Sequence, residues 1–366
     1  MVPSVERLLL GPGPSPVAPR VQRAMQAPVL SHLDPALVAI LDNIRDRLRQ
    51  VFGAADDALT FAVSGTGTAG METAIANATR PGVRATVVVN GYFGDRLAQI
   101  LSRYGATVSR VTGEWGRAVD PEALDRALRE NGADIVAIVH AETSTGVLNP
   151  VGDLCAIASR HGALTIVDAV TSLGAHPVST AEWGCDICYS CTQKGLGAPS
   201  GLAPIAFSRR AQEAYHRSGA AVSFYFDLAL LKGYWIDRKY HHTISAPLIY
   251  ALSEALDVVV EEGLAARGHR HEANHERFAA GLADLGLDLL PPPKERLWPL
   301  NAVVVPPGVD EARVRRAFLE ERSIEIGAGL GPLAGRIWRV GLMGSGSTAE
   351  NVDRLLDAYR SVLRAA

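Results

Sequence analysis

Between residues 37 and 52 the apolar side chains Leu37, Ile40, Leu41, Ile44, Leu48 and Val51 recur every three or four positions. That is the spacing of one face of an amphipathic helix. The chain then changes rhythm. Short, uniformly apolar runs at 59–63, 86–89, 135–139, 164–167, 187–189 and 202–207 alternate with helical patterns at 71–78, 94–104, 121–130 and 151–161. Strands that are apolar on both faces and alternate with helices predict a largely parallel sheet covered on both sides. In such sheets ligands sit at the carboxyl ends of strands, so functional residues are expected just after each apolar run.

The ends of the chain read differently. Leu8-Leu9-Leu10-Gly11-Pro12-Gly13-Pro14-Ser15-Pro16 is too rich in Gly and Pro for a helix or a central strand. It predicts an extended arm that enters a helix near Pro19. A long helical stretch runs from 251 to about 285 and stops at Pro291-Pro292-Pro293. Beyond Ala302, short strands near 324–326 and 337–342 and helices at 311–320 and 349–363 predict a compact α+β unit. The expected organisation is an N-terminal arm (1–20), a large α/β domain (21–260) and a smaller C-terminal α+β domain (261–366).

Composition narrows the class. The 366 residues are 48% hydrophobic and 20% charged, close to globular averages, which excludes disorder, collagen and coiled coil as overall descriptions. Lys and Arg total 36 against 39 Asp and Glu, a net charge of −3. So even a balance leaves no footprint for nucleic acid or an anionic membrane surface. Four cysteines are too few for a disulfide scaffold and favour a reducing compartment. No apolar run approaches the ~18 residues of a membrane span. The opening MVPSVERLLL lacks the basic and long apolar regions of a secretory leader. The expectation is a soluble α/β enzyme.

Several motifs carry possible chemistry. Gly65-Thr66-Gly67-Thr68-Ala69-Gly70 follows an apolar run and opens a helix, the setting of a phosphate-binding turn. A dinucleotide site also needs an acid at the end of the next strand, but Asn90-Gly91-Tyr92-Phe93 stands there. A Gly-rich turn without a ligand is the plain alternative. Asp168 closes the run 164–167, as a sheet-edge functional acid or a simple cap. Lys194 lies one strand–helix–strand spacing later, among small residues (Thr192-Gln193-Lys194-Gly195-Leu196-Gly197). Partial desolvation there lowers a lysine's pKa and makes the amine nucleophilic. Arg339 sits within the apolar Ile337-Trp338-Arg339-Val340-Gly341 and needs an anionic partner, either a protein carboxylate or a substrate carboxylate.

Other motifs favour plainer readings. Cys185, Cys188 and Cys191 have the spacing of part of an iron–sulfur signature. The fourth cysteine, Cys155, is remote, and three such positions on a strand cannot face one way, so no metal is expected. His269, His271 and His275 lie in a charged helical stretch and are expected on a solvated face. In Tyr240-His241-His242-Thr243, Tyr240 and Thr243 could both reach a phosphate from a loop; an ordinary loop is the alternative.

Taken together these stretches resemble the class V, fold type I, pyridoxal-phosphate aminotransferases, in their alanine–glyoxylate / serine–pyruvate branch. The likeness runs through Leu10-Gly11-Pro12-Gly13-Pro14-Ser15, the 64–67 turn, Asn90 to Gly94, Glu142-Thr143-Ser144-Thr145-Gly146, Val167 to Gly174, Gln193-Lys194, Ser223-Phe224-Tyr225-Phe226-Asp227, Tyr240 to Thr243, Gly329 to Pro332 and Trp338 to Gly344. Their order and spacing cover nearly the whole chain. The resemblance implies a mainly parallel, seven-stranded type of sheet in a large domain beside a small C-terminal one. It implies pyridoxal 5′-phosphate joined to Lys194 as an internal aldimine, with Lys194 then shuttling the proton in a ping-pong transamination. Asp168 would hold the pyridine nitrogen protonated. Thr66, Gly67, Thr68 and Gln193 would bind the phosphate, Phe93 would stack on the ring, and Thr143 would contact ring and substrate. Tyr240 and Thr243 would complete the phosphate site of the other subunit of a homodimer. Arg339 would hold the substrate carboxylate, with Gly13 closing the pocket.

The chain departs from the eukaryotic members at three of these positions, which carry Trp, His and Ser where this chain has Phe93, Thr68 and Thr143. Stacking and hydrogen bonding survive the changes, which bear on cofactor affinity and substrate choice. The C-terminal Leu363-Arg364-Ala365-Ala366 is not a peroxisomal tripeptide, so a cytoplasmic protein is expected. A cysteine desulfurase would need a cysteine near Arg339, and every cysteine lies at or before 191. A nicotinamide oxidoreductase would leave Lys194 and the 240–243 loop unexplained, and an iron–sulfur protein would account for the cysteines alone. The expected reaction moves an amino group from L-alanine or L-serine to glyoxylate or pyruvate. A related (S)-ureidoglycine–glyoxylate aminotransferase is the rival.

Overall fold

The computed structural model describes residues 5–364. The first residues of the expected arm and the final Ala365-Ala366 lie outside them. Seven strands form the central sheet, in the spatial order Leu59–Ser64, Leu202–Phe207, Ile187–Tyr189, Leu164–Asp168, Ile135–Val139, Arg84–Val89 and Thr107–Thr112. Leu202–Phe207 runs antiparallel to both neighbours and every other pairing is parallel. Six of these strands are the apolar runs of the sequence. The seventh, Thr107–Thr112, had no such signal because, unlike the other edge strand Leu59–Ser64, it is largely uncovered, and only Val111 is buried.

Helices Pro35–Val51, Gly67–Ala78, Tyr92–Arg103 and Val151–Arg160 pack against this sheet. Leu37, Leu41, Ile44, Leu48 and Val51, the periodic residues of the first, are all buried. Helix Gly67–Ala78 begins earlier than its apolar pattern, because its first turn is built from Gly67, Thr68 and Ala69. The stretch expected as one long helix is two, Ala246–Glu262 and Leu264–Asp284. They are broken at Gly263, whose φ of +82° is strained for any residue with a side chain.

The solvated histidine face is also corrected. His269 is exposed, but His271 and His275 are buried. The Nδ1 of His271 donates to the Arg267 carbonyl at 2.7 Å, and its Nε2 accepts the Gly344 amide at 3.1 Å. The Nδ1 of His275 meets Asn301 Oδ1 at 2.7 Å. Partners from distant segments satisfy these rings, which helical periodicity alone cannot reveal.

Two large apolar clusters result. One gathers side chains from Leu37 to Val259, and the other joins Leu10 to residues between Phe278 and Val362. The N-terminal arm connects them. Leu8–Leu9 pairs in parallel with Ile324–Glu325, and the Gly341 amide donates to the Leu10 carbonyl at 2.8 Å. A few residues on, the Ser15 amide donates to the Gln193 carbonyl at 2.9 Å. No helix is long and apolar enough to cross a membrane.

Candidate active site

The carboxyl edge of the sheet bears an open cleft lined by Thr66, Gly67, Thr68, Met71, Phe93, Arg96, Asp168, Val170, Gln193 and Lys194. Seven of these were candidates from sequence, and they come from segments that follow four different strands. Thr66 precedes the first turn of helix Gly67–Ala78, whose leading amides have no acceptor within the helix. Phe93 is in the first turn of helix Tyr92–Arg103.

Lys194 is 8% exposed. Its Nζ donates to the Pro12 carbonyl of the arm, and the Ser15 hydroxyl donates to the Lys194 carbonyl at 2.7 Å. Burial pulls the amine down to about 8; Arg339 adds to the pull, while Cys191 and Asp168 oppose it. Gly13 is pressed against this lysine. Its φ is +115°, and a Cβ there would lie 2.7 Å from Lys194 Cε. A solvated loop lysine is therefore excluded.

Asp168 closes its strand with both oxygens engaged. Oδ1 accepts the Val170 amide at 2.8 Å and Oδ2 accepts the Tyr189 hydroxyl at 2.7 Å. Burial raises the carboxyl to about 6 despite those two bonds, and the charge of Glu142 pushes the same way.

Arg339 lies on strand Ile337–Gly341 and is buried. Its Nε donates to the Ala328 carbonyl at 2.6 Å and one Nη to the Thr143 carbonyl at 3.4 Å. Among the described residues no carboxylate forms an ion pair with it. Burial lowers the guanidinium to about 10, which the charge of Glu142 resists. The alternative of a protein ion pair is thus set aside. The Thr143 hydroxyl meets that of Thr171 at 2.5 Å. None of Gly13, Thr143 and Arg339 lines the cleft: Gly13 abuts Lys194, Arg339 acts on its amine through charge, and Thr143 is joined to the group through Arg339.

Tyr240 and Thr243 are not brought to this cleft. Both are exposed, Tyr240 packing edge-on to His32 at 5.2 Å. The same loop carries His241, which contacts Phe224 and Tyr225, and these two are exposed as well.

Sequence reasoning passed over five residues that line the cleft or hold a residue lining it. Met71 and Arg96 sit on helices read from sequence as 71–78 and 94–104, which begin at Gly67 and Tyr92, and Val170 lies two positions past Asp168. Tyr189 appeared only as part of a strand. Glu142 was quoted within a motif but given no role. Its fully buried carboxylate accepts the amides of Phe93 and Gly94 at 3.2 Å each, and the amide and hydroxyl of Ser144 at 3.0 and 2.5 Å. One side chain thereby ties the segment bearing Phe93 to the segment bearing Thr143. Its signal was a lone acid after an apolar run.

The cysteines play a different part. Cys155, Cys185, Cys188 and Cys191 are all buried and free. Burial pushes the Cys191 thiol up to about 12, the behaviour of a small hydrophobe. Among the described residues no group of three His, Cys, Asp or Glu could hold a metal ion.

Fold and site define a fold type I enzyme, with its lysine on the carboxyl edge of a seven-stranded sheet. Residues 11–355 match the family model for class-V aminotransferases, and the chain belongs to that family, whose members depend on pyridoxal phosphate. It is 36% identical to the alanine–glyoxylate aminotransferase of Drosophila melanogaster, over 100% of this chain and 94% of that one. Among solved structures it superposes on an alanine–glyoxylate aminotransferase from Nostoc with a TM-score of 0.96 and 46% identity, covering 100% and 98% of the two chains. On the ureidoglycine–glyoxylate aminotransferase of Bacillus subtilis the TM-score is 0.97 with 37% identity, covering 100% and 94%.

Proposed function

We propose that this chain catalyses transamination from L-alanine or L-serine to glyoxylate or pyruvate with pyridoxal 5′-phosphate. The observation that carries the reading is the joint placement of Lys194, Asp168 and Arg339. A desolvated amine stands between a buried acid on the cleft wall and a buried guanidinium without a carboxylate partner. The residues present fit the cofactor. Gln193 Oε1 is buried with no hydrogen-bond partner, so the amide gains by turning its NH2 inward as a donor to a phosphate oxygen, and Thr66, Gly67 and Thr68 bring a helix N-terminus to the same cleft.

When bound, the cofactor supplies an electron sink for the charge left when a proton leaves the substrate Cα. The protein supplies the rest. Asp168 Oδ2 and Oδ1 are held by Tyr189 and Val170, so the carboxyl is fixed to keep a proton on the pyridine nitrogen. Lys194 Nζ, with its pKa near neutral, takes the Cα proton and returns it. Arg339 binds the substrate carboxylate through donors that its two carbonyl contacts leave over. Phe93 would stack on the ring and Thr143 would contact it. Gly13 and the arm close the pocket over the lysine.

The exposed Tyr240 and Thr243, beside Phe224 and Tyr225, would be buried against a second copy of this chain and reach its phosphate site, making the enzyme a homodimer. The division into an arm, a large domain and a small domain near residue 260 accords with the two apolar clusters.

The test is the visible spectrum of the purified protein before and after L-alanine without an acceptor. A yellow band that bleaches, and returns with glyoxylate, supports the reading. A band that answers only to (S)-ureidoglycine selects the rival donor, the reading favoured by the Bacillus subtilis likeness. A protein that stays colourless with added pyridoxal phosphate overturns the cofactor.

A further inference from the structure

Arg96 was not anticipated, and no role above uses it. It lies three residues beyond Phe93 on helix Tyr92–Arg103, so the two share a helical face. Its guanidinium carbon sits 4.9 Å from the centre of the Phe93 ring and 5.2 Å from that of Tyr92. One Nη donates to the Thr68 hydroxyl at 3.2 Å. Those contacts pin the side chain against the cleft at the helix turn formed by Thr66, Gly67 and Thr68.

Its charge is not consumed by the protein. Among the described residues no carboxylate forms an ion pair with it. The nearest acid along its helix, Asp95, is engaged by Gln99 at 2.7 Å and Arg110 at 3.3 Å. Among the described residues two cations line the cleft, Arg96 and Lys194, and Lys194 already directs its Nζ to the Pro12 carbonyl. A phosphate monoester carries about −1.5 to −2 charge at neutral pH. A helix N-terminus offers about half a positive charge. The turn and the Gln193 amide therefore leave most of that anion uncompensated within one protomer, and the hydroxyls of Tyr240 and Thr243 proposed to arrive from a second copy add no charge.

We propose that Arg96 is a phosphate-binding residue of this site, supplying the fixed positive charge for the cofactor's phosphate while its stem and plane brace the Phe93 ring. The inference rests on the cofactor reading given above. It also gives Thr68 a second task, because its hydroxyl accepts from Arg96 and so orients the guanidinium. A guanidinium suits this place better than an ammonium, since it can stack on Phe93 and still present N–H groups at its edge.

The test compares apoprotein of the wild type, Arg96→Met and Arg96→Lys, each checked for native circular dichroism. Equilibrium dissociation constants are measured for pyridoxal phosphate and for pyridoxal, which lacks the phosphate. Arg96→Met should weaken pyridoxal phosphate by about tenfold or more, as expected for loss of one charge-assisted contact. It should change pyridoxal by less than about threefold, and Arg96→Lys should recover part of the loss. Inorganic phosphate should raise the melting temperature of wild-type apoprotein more than that of Arg96→Met. Equal losses for both ligands would mean that Arg96 acts only through Phe93, and no loss for either would leave it without a role; both overturn the proposal. Wild-type protein that binds neither ligand overturns the cofactor reading itself, and this proposal with it.

Discussion

The hydroxyl of Tyr189 donates to Asp168 Oδ2 at 2.7 Å, and both groups are fully enclosed. The two residues close adjacent parallel strands, at positions paired across the sheet. The tyrosine is therefore held under the acid by strand register, and its bond counters part of the upward push of burial on Asp168.

Replacing Tyr189 by Phe removes that bond and keeps the packing. A buried carboxylate that loses a donor becomes harder to ionise, so Asp168 should rise above its present value of about 6. The pH profile of cofactor binding to the apoprotein should move to higher pH, with affinity near pH 6 falling several-fold and recovering toward pH 8. An unmoved profile would show that Tyr189 only fills space.

Lys194→Ala should keep fold and assembly and lose transamination by at least ~10²-fold, the scale of a positioned acid–base group. Arg339→Ala should raise KM for carboxylate substrates by about tenfold or more and leave cofactor affinity nearly unchanged. Paired measurements of turnover and of the cofactor dissociation constant separate the two roles. Loss of cofactor with intact substrate affinity in Arg339→Ala contradicts its assignment.

Gly91→Ala probes the buried carboxylate that links Phe93 to Thr143. A Cβ at residue 91 would fall 2.3 Å from Glu142 Cγ and 2.6 Å from Ser144 Oγ. The backbone there is extended, so the obstacle is space rather than conformation. Overpacking of this kind costs about 1–3 kcal/mol. Thermal unfolding of the variant should show that loss, together with weaker cofactor binding from the displaced Phe93 segment.

Stability should fall in acid, with a definable window. Burial lowers His176 to about 4 and His271 to about 3, and both stay neutral in the fold. In the unfolded chain they take up protons near 6.5. The unfolded state therefore binds more protons below that value, and stability declines as pH drops from about 6.5 toward 4 and 3. Asp168 works in the opposite sense, because its raised carboxyl binds a proton in the fold before it would in the unfolded chain. Melting temperatures should thus fall below pH 6, and between pH 7 and 8 they should still climb gently, because the lowered amine of Lys194 gives up its proton in the fold before it would in the unfolded chain. His271→Asn should flatten part of the acid slope, since it deletes one titrating ring.

Much of the architecture was legible because burial on both faces leaves a strong mark. The runs that became Ile135–Val139, Leu164–Asp168 and Leu202–Phe207 could scarcely be anything but central strands. Thr107–Thr112 escaped because an edge strand with one buried side chain looks like any polar segment. The break at Gly263 was hidden because apolar residues continue on either side of it. His271 and His275 were misread because their partners, Gly344 and Asn301, come from segments far along the chain.

The same division applies to the site. By itself the sequence determined the kind of sheet and singled out Lys194, Asp168 and Arg339 as candidates, since each ends, follows or lies within an apolar run and carries a charge that burial makes costly. Only the tertiary structure decided which groups those charges meet. Asp168 gains Tyr189 by strand register, Lys194 gains the arm's Pro12 carbonyl, Arg339 is left with carbonyls rather than a carboxylate, and Arg96 is turned onto Phe93 and Thr68. Such pairings depend on side chains brought together from separate segments, and the sum of short-range preferences along a chain does not encode a distance between them.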